Sequence, residues 1–312
     1  MDFYHEPVLV KEVLLGLNIK AGADYVDATI GGGGHSYHIL KLSAPEGRLI
    51  GIDRDLEAIL AAKKKLEEFS GRFIIVHDNF KNMKSILYLY GFQKVDGVLI
   101  DLGVSSHQID EGYRGFSYIH DGPLDMRMDN REALTAKSLL NTLEENELKN
   151  IIKEYGEELW AARIANFIVN FRRDKEIETT GELVKIIEKA VPVSKRDPHV
   201  HPAMRTFQAL RIAVNKELDK LDVAIKDAVS LLKPGGRIAV ISFHSLEDRI
   251  VKNTFKELAS ACSCPPKIPV CICNKKPEVE LLNKRPIVAG TEELKLNPRA
   301  KSAKLRLAVK LS

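Results

Sequence analysis

Four consecutive glycines stand in the run Asp27-Ala28-Thr29-Ile30-Gly31-Gly32-Gly33-Gly34-His35-Ser36, between a β-rich segment and a helical one. Glycines at such a junction let backbone approach a ligand closely, and the helix start behind them offers unpaired N–H groups. Asp53 ends the next β-rich run, about 20 residues on, where a carboxylate can accept hydrogen bonds from ribose hydroxyls. The pair suits any adenosine-containing cofactor; taken alone, a glycine-rich turn is equally a tight strand–helix connection. Two details favour S-adenosyl-L-methionine over a dinucleotide. Ser36 stands where a G-x-G-x-x-G pattern would place its third glycine. Asp27 also puts a carboxylate just before the loop, which suits a sulfonium and an ammonium better than a pyrophosphate.

Further along, Asp78-Asn79-Phe80 offers a polar edge and an aromatic face for an adenine ring, and Asp101-Leu102-Gly103-Val104-Ser105-Ser106 closes a fourth β-rich run. Asp27, Asp53, Asp78 and Asp101 thus end four successive strands, at the edge where open α/β sheets bind ligands. Each acid alone could be a helix cap; the set marks one side of the sheet.

The elements that must position these residues are legible in the same stretch. Tyr25–Thr29, Arg48–Asp53, Phe73–Val76 and Val95–Asp101 read as strands, with helical segments such as Asp55–Phe69 between them. This alternation predicts parallel strands with crossover helices, and their apolar character predicts a sheet covered on both faces. From about Ser106 to Asn215 only helical patterns occur: Leu139–Tyr155, Glu157–Arg173, Thr180–Ala190 and a helix from Ala203 onward. Ser194–Pro202, rich in Pro and His, is a loop within that region. A long helix over Asn215–Leu232, a tight turn at Lys233-Pro234-Gly235-Gly236-Arg237 and a strand at Ile238–Ser242 bring the sheet back, and Ala303–Leu311 reads as a closing strand. The fold class is therefore a doubly wound, mostly parallel α/β sheet of Rossmann-like type with an inserted all-helical domain. The expected domains are 1–105 with 216–312, which bind the cofactor, and 106–215, the helical insertion that recognises substrate.

With 45% hydrophobic and 29% charged residues in a chain of 312, wholesale disorder is excluded. No apolar run approaches the ~20 residues that span a bilayer, and the N-terminus lacks a signal-peptide pattern, so a cytoplasmic protein with no membrane partner is expected. Lys and Arg total 47 against 43 Asp and Glu, but Ile250–Ser312 carries 13 basic and 5 acidic side chains. A basic C-terminal fifth on a near-neutral body fits a polyanion contact or a well-solvated surface.

Several long runs then resemble one family. They are Gly31–Ser36, Asp101–Ser106, Arg114-Gly115-Phe116-Ser117, Asp121–Asp129, Arg205–Arg211, Ser242–Arg249 and Asn297-Pro298-Arg299-Ala300. In this order, over nearly the whole chain, they are similar to the small-subunit ribosomal RNA methyltransferase H family, the 16S rRNA cytosine-N4 methyltransferases. The resemblance implies an S-adenosyl-L-methionine-dependent enzyme acting on 16S rRNA, in the 30S subunit or a late assembly particle, as a monomer or a homodimer. It implies cofactor contacts at Gly33, Gly34, His35, Asp53, Phe80, Asp101 and Gln108. Gln108 comes from the resemblance alone, Asp27 and Asp78 from the residues alone. Where other amino-group methyltransferases carry an Asp-Pro-Pro-Tyr-like motif, this chain has Asp101-Leu102-Gly103-Val104, so roles are not copied from that wider class.

The exocyclic nitrogen of cytosine is a poor nucleophile because its lone pair is delocalised into the ring. Catalysis therefore calls for in-line positioning and for acceptors of the amino hydrogens. Asp101 is the best-placed carboxylate for that; a cofactor ligand is its alternative reading. A DNA or small-molecule methyltransferase and a non-catalytic RNA-assembly factor are the competing functions. The basic tail and large insertion oppose a small substrate, and the intact strand-end acids oppose a loss of catalysis.

Cys262-Ser263-Cys264 and Cys271-Ile272-Cys273 place all four cysteines together, which is compatible with a small structural zinc site although C-x-C is a less usual spacing than C-x-x-C. His199 and His201 fall in the Pro-rich loop. His244 follows the fifth strand, where substrate contact and helix entry are both open. Asp125, Arg127 and Asp129 read as a local ion-pair ladder.

Overall fold

The computed structural model describes residues 7–262, 264 and 273–312. In chain order it begins α1 (Val10–Leu17), β1 (Tyr25–Asp27), α2 (Gly34–Leu42), β2 (Leu49–Asp53), α3 (Leu56–Lys65), β3 (Phe73–His77), α4 (Met83–Leu89) and β4 (Val95–Asp101). Helices follow: α5 (Ser106–Asp110), α6 (Ala136–Thr142), α7 (Glu145–Gly156), α8 (Ala161–Arg172), α9 (Thr180–Ala190) and α10 (Met204–Asn215). The chain closes with α11 (Leu221–Leu231), β5 (Leu232–Ser242), α12 (Ser245–Leu258), β6 (Val279–Leu281), α13 (Thr291–Leu296) and β7 (Lys304–Lys310).

The strands form one sheet in the order β3-β2-β1-β4-β5-β7-β6. Neighbours from β3 to β5 pair in parallel, whereas β7 runs antiparallel to both β5 and β6. This is the doubly wound, mostly parallel α/β architecture read from the sequence. Alternate strand residues supply two cores, as a pleat covered on both faces requires. Val26, Ile50, Val98 and Ile238 join Leu87, Ile225, Val229 and Phe255 on one face. Tyr25, Leu49, Leu99 and Ala239 join Val13, Leu17, Ile39 and Leu40 on the other. The chain winds outward from β1 in opposite directions, so the carboxyl ends of β1 and β4 flank the switch point where such sheets open a crevice.

Contacts divide the chain into two compact units, one up to Gly103 and from Lys220 onward, the other Val104–Asp219. The second unit has its own core, including Leu124, Leu139, Ile152, Ile164, Leu183, Phe207 and Leu210. Its helix α9 starts sharply because Thr179 and Glu182 form a reciprocal capping box. No helix among the described residues is long and apolar enough to cross a membrane.

Three sequence expectations need correction. Leu139–Tyr155 is two helices: Leu143 is extended and Glu144 opens α7 with its own capping box. The apolar spacing reads through the break because both helices bury leucines in the same core. The helix expected over 215–232 is likewise interrupted. Lys216 and Lys220 both take positive φ, at 49° and 54°, while Arg211 pairs with Glu217 at 2.9 Å and the Asn215 side chain bonds Met126 and Met128. Finally, Lys233–Arg237 is not a turn ahead of the strand. It is the irregular first half of β5, with a register shift opposite Val95–Gly97 that Gly235 accommodates at φ 78°.

Candidate active site

The glycine run is shaped by backbone geometry before any ligand enters. Gly31 and Gly33 have φ of 51° and 79°, a region where a side chain is strained. At Gly34 the constraint is space, since a Cβ would sit 2.9 Å from Pro7 Cγ. His35 lies in the first turn of α2 and is buried. Two carboxylates secure this loop. Asp53, at the end of β2, accepts from Gly31 N–H at 2.8 Å and from Asp55 N–H at 2.9 Å. Asp27, 1% exposed at the end of β1, accepts from the Ser36 hydroxyl at 2.7 Å and from Thr29 N–H at 3.3 Å. Ser36, the departure from the dinucleotide pattern, thus holds the acid that distinguishes this loop.

Asp101 ends β4 beside them. Its N–H donates to the Thr29 hydroxyl at 2.7 Å, and its Oδ2 lies 3.6 Å from His35 Nε2. Its Oδ1 is buried and, among the described residues, has no hydrogen-bond partner. Phe80 follows β3 half-buried against the core that holds Ile52. Asp78 is used locally: it accepts from Asn79 N–H at 2.6 Å and from the Asn82 amide at 2.8 Å, which is a turn-forming role. Gln108 belongs to the second unit, where it is buried and closes a capping box with Ser105.

Electrostatically, the edge is a set of buried and partly buried acids short of positive charge. Burial raises Asp27 to about 6, with the neighbouring Asp53 adding to the shift. Burial raises Asp53 as well, against the two N–H groups that favour its charge. Asp101 is pushed well above the ordinary carboxylate range by burial and by the charges of Asp27 and Glu247. Such a cluster favours a ligand carrying positive charge and hydrogen-bond donors. S-adenosyl-L-methionine, with its sulfonium, α-ammonium and ribose hydroxyls, fits these residues, and the unpartnered Asp101 oxygen is the sharpest sign of it.

A pH dependence follows. Asp27 ionises at about 6 in the folded chain but in the usual aspartate range when unfolded. Its destabilising effect is therefore absent below about pH 4, grows as pH rises, and is complete above about pH 6. A cationic ligand relieves that cost by favouring the charged carboxyl. Affinity for S-adenosyl-L-methionine should therefore rise between about pH 5 and 7, and binding near pH 5.5 should release protons. Calorimetry in buffers of differing ionisation enthalpy measures both; a flat affinity with no proton release removes Asp27 from the charge balance.

The remaining polar candidates have local structural uses. His244 is the N-cap of α12 in a capping box with Glu247, so helix entry is its observed role. Asp125 pairs with Arg127 and Asp129 with Arg131, each at 2.7 Å. The His201 ring stacks on Tyr118 at 4.8 Å, and His199 is exposed. Cys262, Cys264 and Cys273 lie together between α12 and β6, and Cys271 lies outside the described residues. Two contributors were missed from sequence, Thr29 and Glu247. The signal for Glu247 was present, as an acid three residues after the residue opening α12.

A sheet of this topology, with a glycine loop after its first strand and acids on the ends of the next ones, defines an S-adenosyl-L-methionine-dependent methyltransferase. The chain matches the sequence model of the MraW methylase family over residues 2–311 and belongs to that family. It is similar to "Ribosomal RNA small subunit methyltransferase H" of Symbiobacterium thermophilum, with 53% identity over 311 residues, covering 100% of this chain and 98% of that protein. The protein of the same name from Clostridioides difficile is 54% identical over 311 residues, covering 100% of both chains.

Proposed function

We propose that this chain methylates N4 of a decoding-site cytidine in 16S rRNA of the small ribosomal subunit. The observation that carries the reading is identity above one half, along the full length, to proteins named for small-subunit rRNA methylation. The N4 position rests on the motif resemblance and on the chemistry of the strand-end acids. The substrate is the 30S subunit or a late assembly particle, the setting is the cytoplasm, and the enzyme acts as a monomer or homodimer.

In this mechanism Gly33, Gly34, His35, Asp53, Phe80 and Asp101 would hold the cofactor. Bound there, S-adenosyl-L-methionine supplies an electrophilic methyl group on a cationic sulfur. Asp53 keeps the loop in place through Gly31 and would accept from the ribose hydroxyls. Asp101 accepts an amino hydrogen of the cytosine, which localises the nitrogen lone pair and takes up the positive charge that develops there. Its raised pKa makes the carboxylate a stronger base than a solvated aspartate. The target cytidine leaves its stack to reach these groups. The helical unit 104–219 supplies substrate recognition, consistent with its separate core.

The test is mass spectrometry of 16S rRNA fragments after incubation with cofactor and either naked RNA or 30S subunits. A mass gain of one methyl group on a cytidine, placed on N4 by fragmentation, supports the reading; a methyl on another atom or base overturns it.

The basic C-terminal segment has a separate signature. Lys284, Arg285 and Lys301 are exposed and are assigned here to phosphates. Replacing all three by alanine should weaken RNA binding at moderate salt and reduce the slope of log affinity against log salt by about 2 to 3. The rate at saturating RNA should be unchanged. An unaltered salt slope in filter-binding titrations removes these side chains from the RNA surface.

A further inference from the structure

The segment joining α12 to β6 carries chemistry that the methyl-transfer site does not use. Its two ends are tied together, since Glu278 N–H donates to Leu258 O at 2.8 Å and Lys275 Nζ donates to Glu257 O at 2.6 Å. Yet none of the described residues from Ala259 to Glu278 is buried. Among these described residues apolar packing is limited to Ala259, which lies against the sheet core, and small segments without a core of their own depend on cross-links or metals.

At its base the Sγ atoms of Cys262, Cys264 and Cys273 all lie within 4.8 Å of one another. The Cys262 and Cys273 sulfurs are 3.9 Å apart. That is far beyond a disulfide bond, and it matches the edge of about 3.8 Å that tetrahedral zinc with Zn–S bonds of about 2.3 Å imposes on two thiolates. Cys264 N–H points at Cys262 Sγ at 3.3 Å, an amide-to-sulfur bond of the kind that stabilises a charged metal-bound thiolate. Ser260 closes the turn around the first ligand, accepting from Cys262 N–H at 3.2 Å and donating to Cys262 O at 2.7 Å.

The geometry points to a structural zinc site built on Cys262, Cys264 and Cys273, clamping the α12–β6 excursion. Each thiol gives its proton to solvent when the metal binds, so occupancy rises with pH. The ion is distant in sequence from the strand-end acids and takes no part in methyl transfer. Its work is to hold part of the basic C-terminal segment in one shape.

The full-length protein, purified under reducing conditions with zinc and exchanged into metal-free buffer, should contain about one zinc per chain by elemental analysis. The double variant Cys262→Ser/Cys273→Ser should contain less than about 0.1, while keeping its circular dichroism and its affinity for S-adenosyl-L-methionine. A second measurement uses the wild-type chain and so does not depend on the variant folding. Stripped and reloaded with cobalt, it should show sulfur-to-metal charge-transfer absorption and the visible bands of a tetrahedral thiolate site. Three results overturn the proposal: wild-type protein without stoichiometric zinc, a double variant that retains zinc, or a cobalt form lacking thiolate bands.

Discussion

Asp101→Asn should lower kcat by about 10²- to 10⁴-fold at saturating cofactor and RNA, the range for loss of a positioned proton acceptor. The amide preserves shape but accepts no proton, so KM for RNA should change far less than kcat. The wild-type rate should also fall as the medium is acidified, because burial, Asp27 and Glu247 raise the Asp101 pKa and only the ionised form accepts. The variant should lose that acid limb. Steady-state rates across pH, with cofactor affinity measured alongside, decide the matter. If Asp101→Asn turns over at the wild-type rate, the residue is a cofactor ligand and nothing more.

The second large effect concerns the cofactor end. Asp53→Ala should weaken S-adenosyl-L-methionine binding by about 1.5–3 kcal/mol, the scale for charged hydrogen bonds left unmade. Two sources feed that loss, because the carboxylate also receives Gly31 N–H and Asp55 N–H. The substitution therefore loosens the glycine loop and the start of α3 as well as removing the ribose acceptor. Asp53→Asn separates them. It retains a carbonyl oxygen for one N–H but loses the charge, so it should bind more tightly than the alanine variant and more weakly than the wild type. Titration calorimetry on both, with Tm as a control for folding, measures this. Unchanged affinity in a folded Asp53→Ala chain would take the residue out of the site.

The sheet and its acidic edge were legible because their signals are local. Val98, Leu99 and Ile100 form a short, β-branched-rich apolar run that suits a strand covered on both faces, and the acid closing it is visible in the same few residues. Helix boundaries were less legible where tertiary contacts set them. The stop at Asn215 depends on its bonds to Met126 and Met128, which no local pattern encodes. The short β6 escaped notice because three residues carry too little periodicity, and its pairing with β7 is what makes it a strand. Within the site, strand-end position exposed Asp27, Asp53 and Asp101. It could not show that Ser36 anchors Asp27 or that Thr29 receives the Asp101 amide, because those partners are fixed only once the loop closes.

The discontinuity of the sheet unit bears on how the chain is made. Synthesis delivers β3, β2, β1 and β4 first, and β5, which pairs in parallel with β4, only after the whole of Val104–Asp219 has emerged. During that interval β4, paired only with β1, is an edge strand carrying Val98, Leu99 and Ile100, all fully buried in the finished protein. Exposed apolar edges of this kind recruit other chains. The intervening helices make mostly local contacts, which form quickly, and closing a long flexible segment becomes costlier as its length grows, by about 0.6 kcal/mol per doubling. A compact helical unit shortens the wait. Destabilising α7 or α10 should therefore surface first as aggregation of newly made protein, well before any loss of chemistry at the strand ends.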